Sequence, residues 1–315
     1  MTFSRVALVG LAVLLPATPL AAQPASDRFE IAPPEGVFAD KRQEATLEAQ
    51  VLLVRAGHSP GVIDGYPGGN TSRALRAFQR AQGLEVTGSA DSATMEALRK
   101  AAADAPLLER YTIEAASSEF STPADGMAEQ AETGRVGYGS LGEKLAEQFG
   151  MSEGLLRALN PGGLSQGTEI IVVAADMGDL PAVERVEIDG EDNEVRAYDA
   201  DGTLVASFPA TVGSDEFPSP SGTMEVAALA PEANYTFDPS DQEWGGDETL
   251  VIPAGPNNPI GGIWIDLGKD GYGIHGSPDP ALIGKTSSHG CVRLTNWDAR
   301  TLMNAVSPGT VVAFQ

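Results

Sequence analysis

From Val183 to the end of the chain, apolar residues stop recurring every three or four positions and begin to alternate. The runs VERVEID, NEVRAYD, LVASFPATVG, GTMEVAAL, GIWIDLG, YGIHG and GTVVAF share this texture. Alternation sends successive side chains to opposite faces of an extended segment, so Val186 and Ile188 share one face, as do Val195 and Ala197. Asp189-Gly190 and Asp201-Gly202 punctuate the first runs and predict hairpin turns, because these residues tolerate the positive φ that tight turns need. This half therefore reads as β. One helix interrupts it: Asn296 is expected to cap WDARTLMNAV, with Asp298 near the positive end of the dipole. Residues 214–262 are long and rich in Pro, Gly and Asn, and are expected to form a lid or binding loop.

The preceding half has helical periodicity. Leu47, Val51, Leu52 and Arg55 define a helix that ends at Gly57. After the turn cluster DGYPGGN, Asn70 or Thr71 is expected to cap a second helix, with Ala74, Leu75 and Phe78 inward. SADSATMEAL starts a third, with Met95 and Leu98 on one face, so residues 44–101 read as a three-helix module. Residues 110–175 read as strand, two short helices and strand, with a polar insertion over about 116–138. The fold class is thus multidomain α+β. Residues 23–43, rich in Pro, Ala and charge, read as a linker.

The first residues, MTFSRVALVGLAVLLPATPLAAQPA, carry Arg5, an apolar run from Val6 to Leu15, and small residues that place cleavage after Ala22. The run is shorter than the roughly 20 residues that span a bilayer, so 1–22 is expected to be a signal peptide. No cysteine follows for a lipid anchor. The mature protein is expected in the periplasm or cell envelope, with no membrane span after processing. A formal charge of −24 argues against nucleic acid and anionic membrane surfaces as partners.

An exported chain with one cysteine has an exposed liability, since a lone thiol outside the cytoplasm oxidises or cross-links. Here it sits in TSSHGCVRLTN, and two of the chain's three histidines, His275 and His289, lie close by. A thiolate near neutral pH needs a cationic or basic neighbour. His275 ends the YGIHG strand, and the spacer SPDPALIGKTS is long enough to fold back and bring Cys291 to it. Gly276 and Gly290 permit close backbone approach or positive φ. N–H groups around Gly290 and Cys291 could then hold an oxyanion. The alternatives are a small buried Cys291, or zinc on His275, His289 and Cys291, which lacks the paired spacing of zinc sites. His58 is expected at the surface or as a capping residue.

The string IHGSPDPALIGKTSSHGCVRLTNWDA resembles the signature of L,D-transpeptidase catalytic domains of the YkuD type. His275-Gly276 and Ser288 to Arg293 carry the match, supported by PSPSG at 218–222 and GPNNPIGG at 255–262. The resemblance implies a mostly-β domain over 182–314, no cofactor and no metal. It implies that Cys291 is the nucleophile and His275 the general acid and base. His289, Gly290 and Ser288 shape the oxyanion site and turn, while Arg293, Gly276, Ser277 and Asn258 serve substrate binding. The implied reaction joins peptidoglycan stem peptides 3→3 through a thioester; water or the lysine of an outer-membrane lipoprotein are alternative acceptors. GVIDGYPGGNTSRALRAFQRAQGLEVTG is similar to peptidoglycan-binding domains, through Asp64-Gly65, Thr71, Phe78-Gln79 and Gly83-Leu84. Residues 110–175 resemble a LysM module, a glycan-binding fold, interrupted by a polar insertion; the resemblance leaves open a glycan-binding module and a degenerate structural one.

Overall fold

The computed structural model describes residues 29–39, 41–102, 105–114, 120, 124, 126–213, 219–238, 249–288 and 290–315. The expected signal peptide and His289 lie outside them. The first three helices are α1 (Glu44–Arg55), α2 (Gly69–Ala81) and α3 (Ser92–Ala101). Asp91 caps α3 by accepting from the Thr94 N–H. At α2 the expected cap is corrected: Gly68 occupies that position and no side chain caps the helix. Asn70 and Thr71 have other partners, Asn70 Nδ2 donating to Ile283 O at 2.9 Å and Thr71 Oγ1 accepting from Gln50 at 3.2 Å.

Strands β1 (Leu108–Thr112) and β2 (Glu169–Val173) pair antiparallel. Between them in sequence lie α4 (Met127–Ala131), α5 (Leu141–Gln148) and α6 (Glu153–Leu159), the last two capped by Ser140 and Ser152. These elements do not form a second core. Leu47, Leu53, Phe78 and Leu98 share one apolar cluster with Leu108, Leu145, Met151, Leu156 and Val172. Phe29 and Val37 are buried in the same cluster, so the tail of the expected linker is tied down by its two apolar side chains.

The remaining strands are β3 (Arg185–Asp189), β4 (Glu194–Tyr198), β5 (Leu204–Pro209), β6 (Gly222–Glu225), β7 (Ala228–Ala230), β8 (Tyr235–Phe237), β9 (Leu250–Ile252), β10 (Trp264–Asp266), β11 (Gly273–His275), β12 (Val292–Arg293) and β13 (Val311–Phe314). Helix α7 (Asn296–Ala305) separates β12 from β13. A five-stranded sheet runs β5-β4-β3-β13-β6, and a four-stranded one β12-β11-β10-β7. The two predicted hairpins join β3 to β4 and β4 to β5. The stretch 214–262 is more regular than expected, because β6 to β9 lie within it. Val186, Ile188, Val195, Phe208 and Val312 of the first sheet share a core with Ile265, Ile274 and Val292 of the second and with Ala299 and Leu302 of α7. Each fully buried aliphatic or Phe side chain there contributes about 1.5–3 kcal/mol relative to exposure.

The two cores are clamped together. Gly57 sits against β5 with φ +86°, and a Cβ there would come within 2.5 Å of Val205 O. Ser59 N–H donates to Ser207 O at 2.8 Å, and Ser207 N–H to Gly57 O at 3.0 Å. His58 is therefore not at the surface: it is buried, with Nδ1 3.0 Å from Ser207 Oγ, and burial pushes its pKa down to about 4. Among the described residues no helix is long and apolar enough to cross a membrane.

Candidate active site

Strands β11 and β12 are parallel neighbours, with Ile274 opposite Val292 and His275 opposite Arg293. Side chains at paired positions share a face, so Ile274 and Val292 point into the core while His275 and Arg293 point away from it. Cys291 immediately precedes β12 and continues the Arg293 face beside Gly273. The thiol and the imidazole thus come from adjacent strands on one side of a sheet.

Strand β10 completes the floor. Trp264 pairs with His275 in register, and its ring stacks on the imidazole at 5.7 Å between centroids and 22° between planes. The indole continues over Gly273, where a Cβ would come within 2.5 Å of it. Trp264 Nε1 donates to Asp266 at 3.2 Å. Trp264 was not among the expected site residues. The signal was present in GIWIDLG, where Ile263 and Ile265 alternate inward and leave Trp264 and Asp266 on the opposite face.

His275 is buried, and its Nδ1 lies 2.7 Å from Gly276 O. A carbonyl only accepts, so Nδ1 carries the hydrogen and Nε2 keeps its lone pair. Burial drives the imidazole pKa down to about 4; the bond to Gly276 opposes this and Arg293 adds to it. Cys291 is half-buried, and Sγ donates to Gly271 O at 3.1 Å. Burial pushes the thiol pKa up, opposed by a backbone hydrogen bond at Gly273 and by the charge of Arg293. At neutral pH the resting pair is therefore a neutral thiol and a neutral imidazole. Such a pair supports attack with proton transfer to Nε2, rather than a preformed ion pair.

The turn before the cysteine is held from inside. Ser288 is buried, its N–H donates to Val212 O at 2.9 Å, and its hydroxyl donates to Cys291 O at 2.5 Å. Gly290 has φ +116°, its N–H donates to Ser288 Oγ at 3.2 Å, and its carbonyl accepts from Ser219 Oγ at 2.9 Å. The Gly290 N–H is thus engaged within the turn. Arg293 Nε is buried and has no hydrogen-bond partner among the described residues.

Three expected substrate-binding residues are tied into the frame. Asn258 is fully buried; Nδ2 donates to Ala233 O and Pro253 O, and Oδ1 accepts from the Ile260 and Gly262 N–H groups. Its amide is used up folding the 253–262 loop. Ser277 is buried, with its N–H donating to Asn296 Oδ1 at 2.8 Å and its hydroxyl accepting from the Asp279 N–H at 3.2 Å. Gly276 is packed so closely that a Cβ would come within 2.2 Å of Asn296 Oδ1. Asn296 itself is not the cap of α7: Thr295 is, accepting from the Asp298 N–H, because the Asn296 amide is committed to this network.

The family model of the L,D-transpeptidase catalytic domain (YkuD) matches residues 184–313, and that of the "Putative peptidoglycan binding domain" matches 42–98. The "Putative L,D-transpeptidase YkuD" of Bacillus licheniformis is 31% identical over 184 residues, covering 57% of this chain and 96% of that protein. The "Probable L,D-transpeptidase ErfK/SrfK" of Escherichia coli is 29% identical over 181 residues, 54% of this chain and 57% of the relative. A solved L,D-transpeptidase from Xylanimonas cellulosilytica aligns with 86% of this chain and 92% of its own, at 18% identity and a TM-score of 0.38. With the catalytic-domain model matched across the β half, and a relative matched over nearly its whole length, the chain belongs to the L,D-transpeptidase family and is an enzyme of that class.

Proposed function

We propose that this enzyme is exported and cross-links peptidoglycan stem peptides 3→3 through a thioester on Cys291. One observation supports the reading: Cys291, just before β12, falls on the same side as His275 of the adjacent β11, whose Nδ1–H is pinned by Gly276 O and whose Nε2 has no partner among the described residues. The Cys291 proton passes to His275 Nε2 as sulfur attacks the carbonyl between the L-centre of meso-diaminopimelate and D-alanine. Because the Gly290 N–H is engaged, the Cys291 N–H is the turn's donor to the oxyanion. The imidazolium returns its proton to the departing amine, D-alanine leaves, and the acyl group remains on sulfur. An amine of a second stem then attacks the thioester, forming the new amide and releasing the thiol. Arg293, on the His275 side of the sheet, binds a stem carboxylate.

The helical region matching the peptidoglycan-binding model holds the chain on the wall. Because that region shares its core with β1, β2, α5 and α6, co-sedimentation with insoluble peptidoglycan is measured on the full chain. The decisive experiment is mass spectrometry of products from purified tetrapeptide stems. Dimers linked 3→3 are expected, with an acyl adduct on Cys291. Tripeptide alone at every acceptor concentration, with lysine-bearing acceptors included, would replace the transferase reading with a carboxypeptidase.

A further inference from the structure

Asn296 lies under the His275 turn, and every polar atom of its amide has a partner. Oδ1 accepts from the Ser277 N–H at 2.8 Å, while Nδ2 donates to Glu147 Oε2 at 2.9 Å and to Pro256 O at 3.0 Å. Glu147 belongs to α5, outside the residues 184–313 that match the catalytic-domain family. Its other oxygen, Oε1, accepts from the Tyr138 hydroxyl at 2.9 Å. The surrounding backbone is seated on the catalytic half. Val136 N–H donates to Ala254 O, and Asn257 N–H to Val136 O, each at 3.2 Å.

The consequence lies in one peptide plane. The Ser277 N–H and the Gly276 carbonyl are the two ends of a single planar trans unit. The N–H is held by Asn296 on one side; the carbonyl, aimed oppositely, accepts from His275 Nδ1 at 2.7 Å. Which way the Asn296 amide faces therefore decides whether that plane is held. Glu147 Oε2 and Pro256 O both accept from Nδ2, so together they demand the NH2 end and leave Oδ1 for Ser277. A flipped amide would set NH2 against N–H and oxygen against both a carboxylate and a carbonyl. The amide has no room to drift, because a Cβ on Gly261 would come within 1.8 Å of Oδ1.

We propose that Glu147 is a positioning residue for the reaction: through Asn296 and the 276–277 peptide it fixes the tautomer and orientation of His275. This rests on His275 being the base. It makes the helical half of the chain a working part of the catalytic centre, in addition to any role in holding the wall.

The test compares Glu147→Gln, which keeps an acceptor for Asn296, with Glu147→Met, which keeps the length and loses both acceptors. Two readouts are taken on the full chain: the rate of Cys291 acylation by tetrapeptide stems, and the nitrogen-15 imidazole spectrum. The chain has three histidines, and His275→Ala assigns the relevant signal. Misplacing a reacting group by about 1 Å can cost ~100-fold, so Glu147→Met is expected to slow acylation about tenfold or more. Its His275 signal should move from pure Nδ1–H towards a tautomer mixture, with Glu147→Gln restoring both readouts. If Glu147→Met does not fold, Glu147→Asp, whose carboxylate is retracted from Asn296, carries the same two readouts. A wild-type His275 spectrum and acylation rate in the acceptor-deficient variant would overturn the proposal. Undiminished acylation in His275→Ala would instead overturn the base assignment on which it stands.

Discussion

The Ser59 hydroxyl donates to the carboxylate of Asp298 at 3.0 Å, closing a contact across 239 positions of sequence between the helical body and α7. Both residues are buried, and desolvation raises the Asp298 pKa to about 7, against opposing hydrogen bonds from Thr295 and Ser59. An unfolded Asp ionises near 3.9, so between about pH 4 and 7 the native state holds a proton that the unfolded state has lost. This residue's contribution to stability therefore falls as pH rises through that window, and levels off above it. Asp298→Asn should gain stability relative to wild type as pH is raised from 4 to 7, with a constant difference above 7. Denaturant titrations at a series of pH values measure this; a pH-independent difference between the two proteins would contradict it.

Acylation of Cys291 should keep its rate down to a pH well below the ordinary histidine range. The base must be unprotonated, and burial holds the His275 pKa at about 4. Trp264 stacks on the ring and is expected to supply part of that cover. Trp264→Ala lets water reach the imidazole, raises its pKa towards 6.5 and moves the acid limb of the rate profile upward. The profile of stem acylation between pH 3.5 and 8 checks the shift, and an unmoved limb would show that the indole is not the cover.

Removing Arg293 should weaken substrate capture more than chemistry. A hydrogen bond to a charged group contributes about 1.5–3 kcal/mol, so Arg293→Ala is expected to raise KM about 10- to 100-fold. The comparison is between stems with a free terminal carboxylate and stems with it amidated. Equal losses for both would place the guanidinium elsewhere.

Phe78 is fully buried in α2 and meets the His58 ring edge-on at 5.8 Å between centroids. Phe78→Ala should destabilise the chain by about 3–5 kcal/mol, as expected for an aromatic deleted from a closed core. Since His58 bridges to Ser207 of β5, the loss should also loosen the clamp between the two cores. Hydrogen exchange of the Ser207 and Ser59 amides reports it: protection at both should drop together.

The amino-acid sequence alone determined what depends on near neighbours in the chain. Alternation marked β3, β4 and β5, and Asp-Gly pairs marked their hairpins, whose loops run over 190–193 and 199–203, because turns are chosen by local backbone preference. Periodicity found α1, α2 and α3 for the same reason. Cys291 and His275 stood out as candidates because residue type and a short spacer are local features, and the structure sets them at neighbouring strands. Tertiary structure decided what each polar side chain does with its hydrogen bonds. Asn296 is by local rules a good helix cap, yet its partner Glu147 lies 149 positions away, and packing makes it a strut while Thr295 caps. Asn258 and Ser277 read as substrate-binding residues, and only the tertiary structure shows both buried with partners in the frame. His58 reads as a surface residue until β5 covers it. Two segments that read as separate modules merge because each leaves an apolar face that the other covers. A side chain's chemistry is local, but its desolvation and its partners depend on which distant surfaces meet, and no short window of sequence contains that.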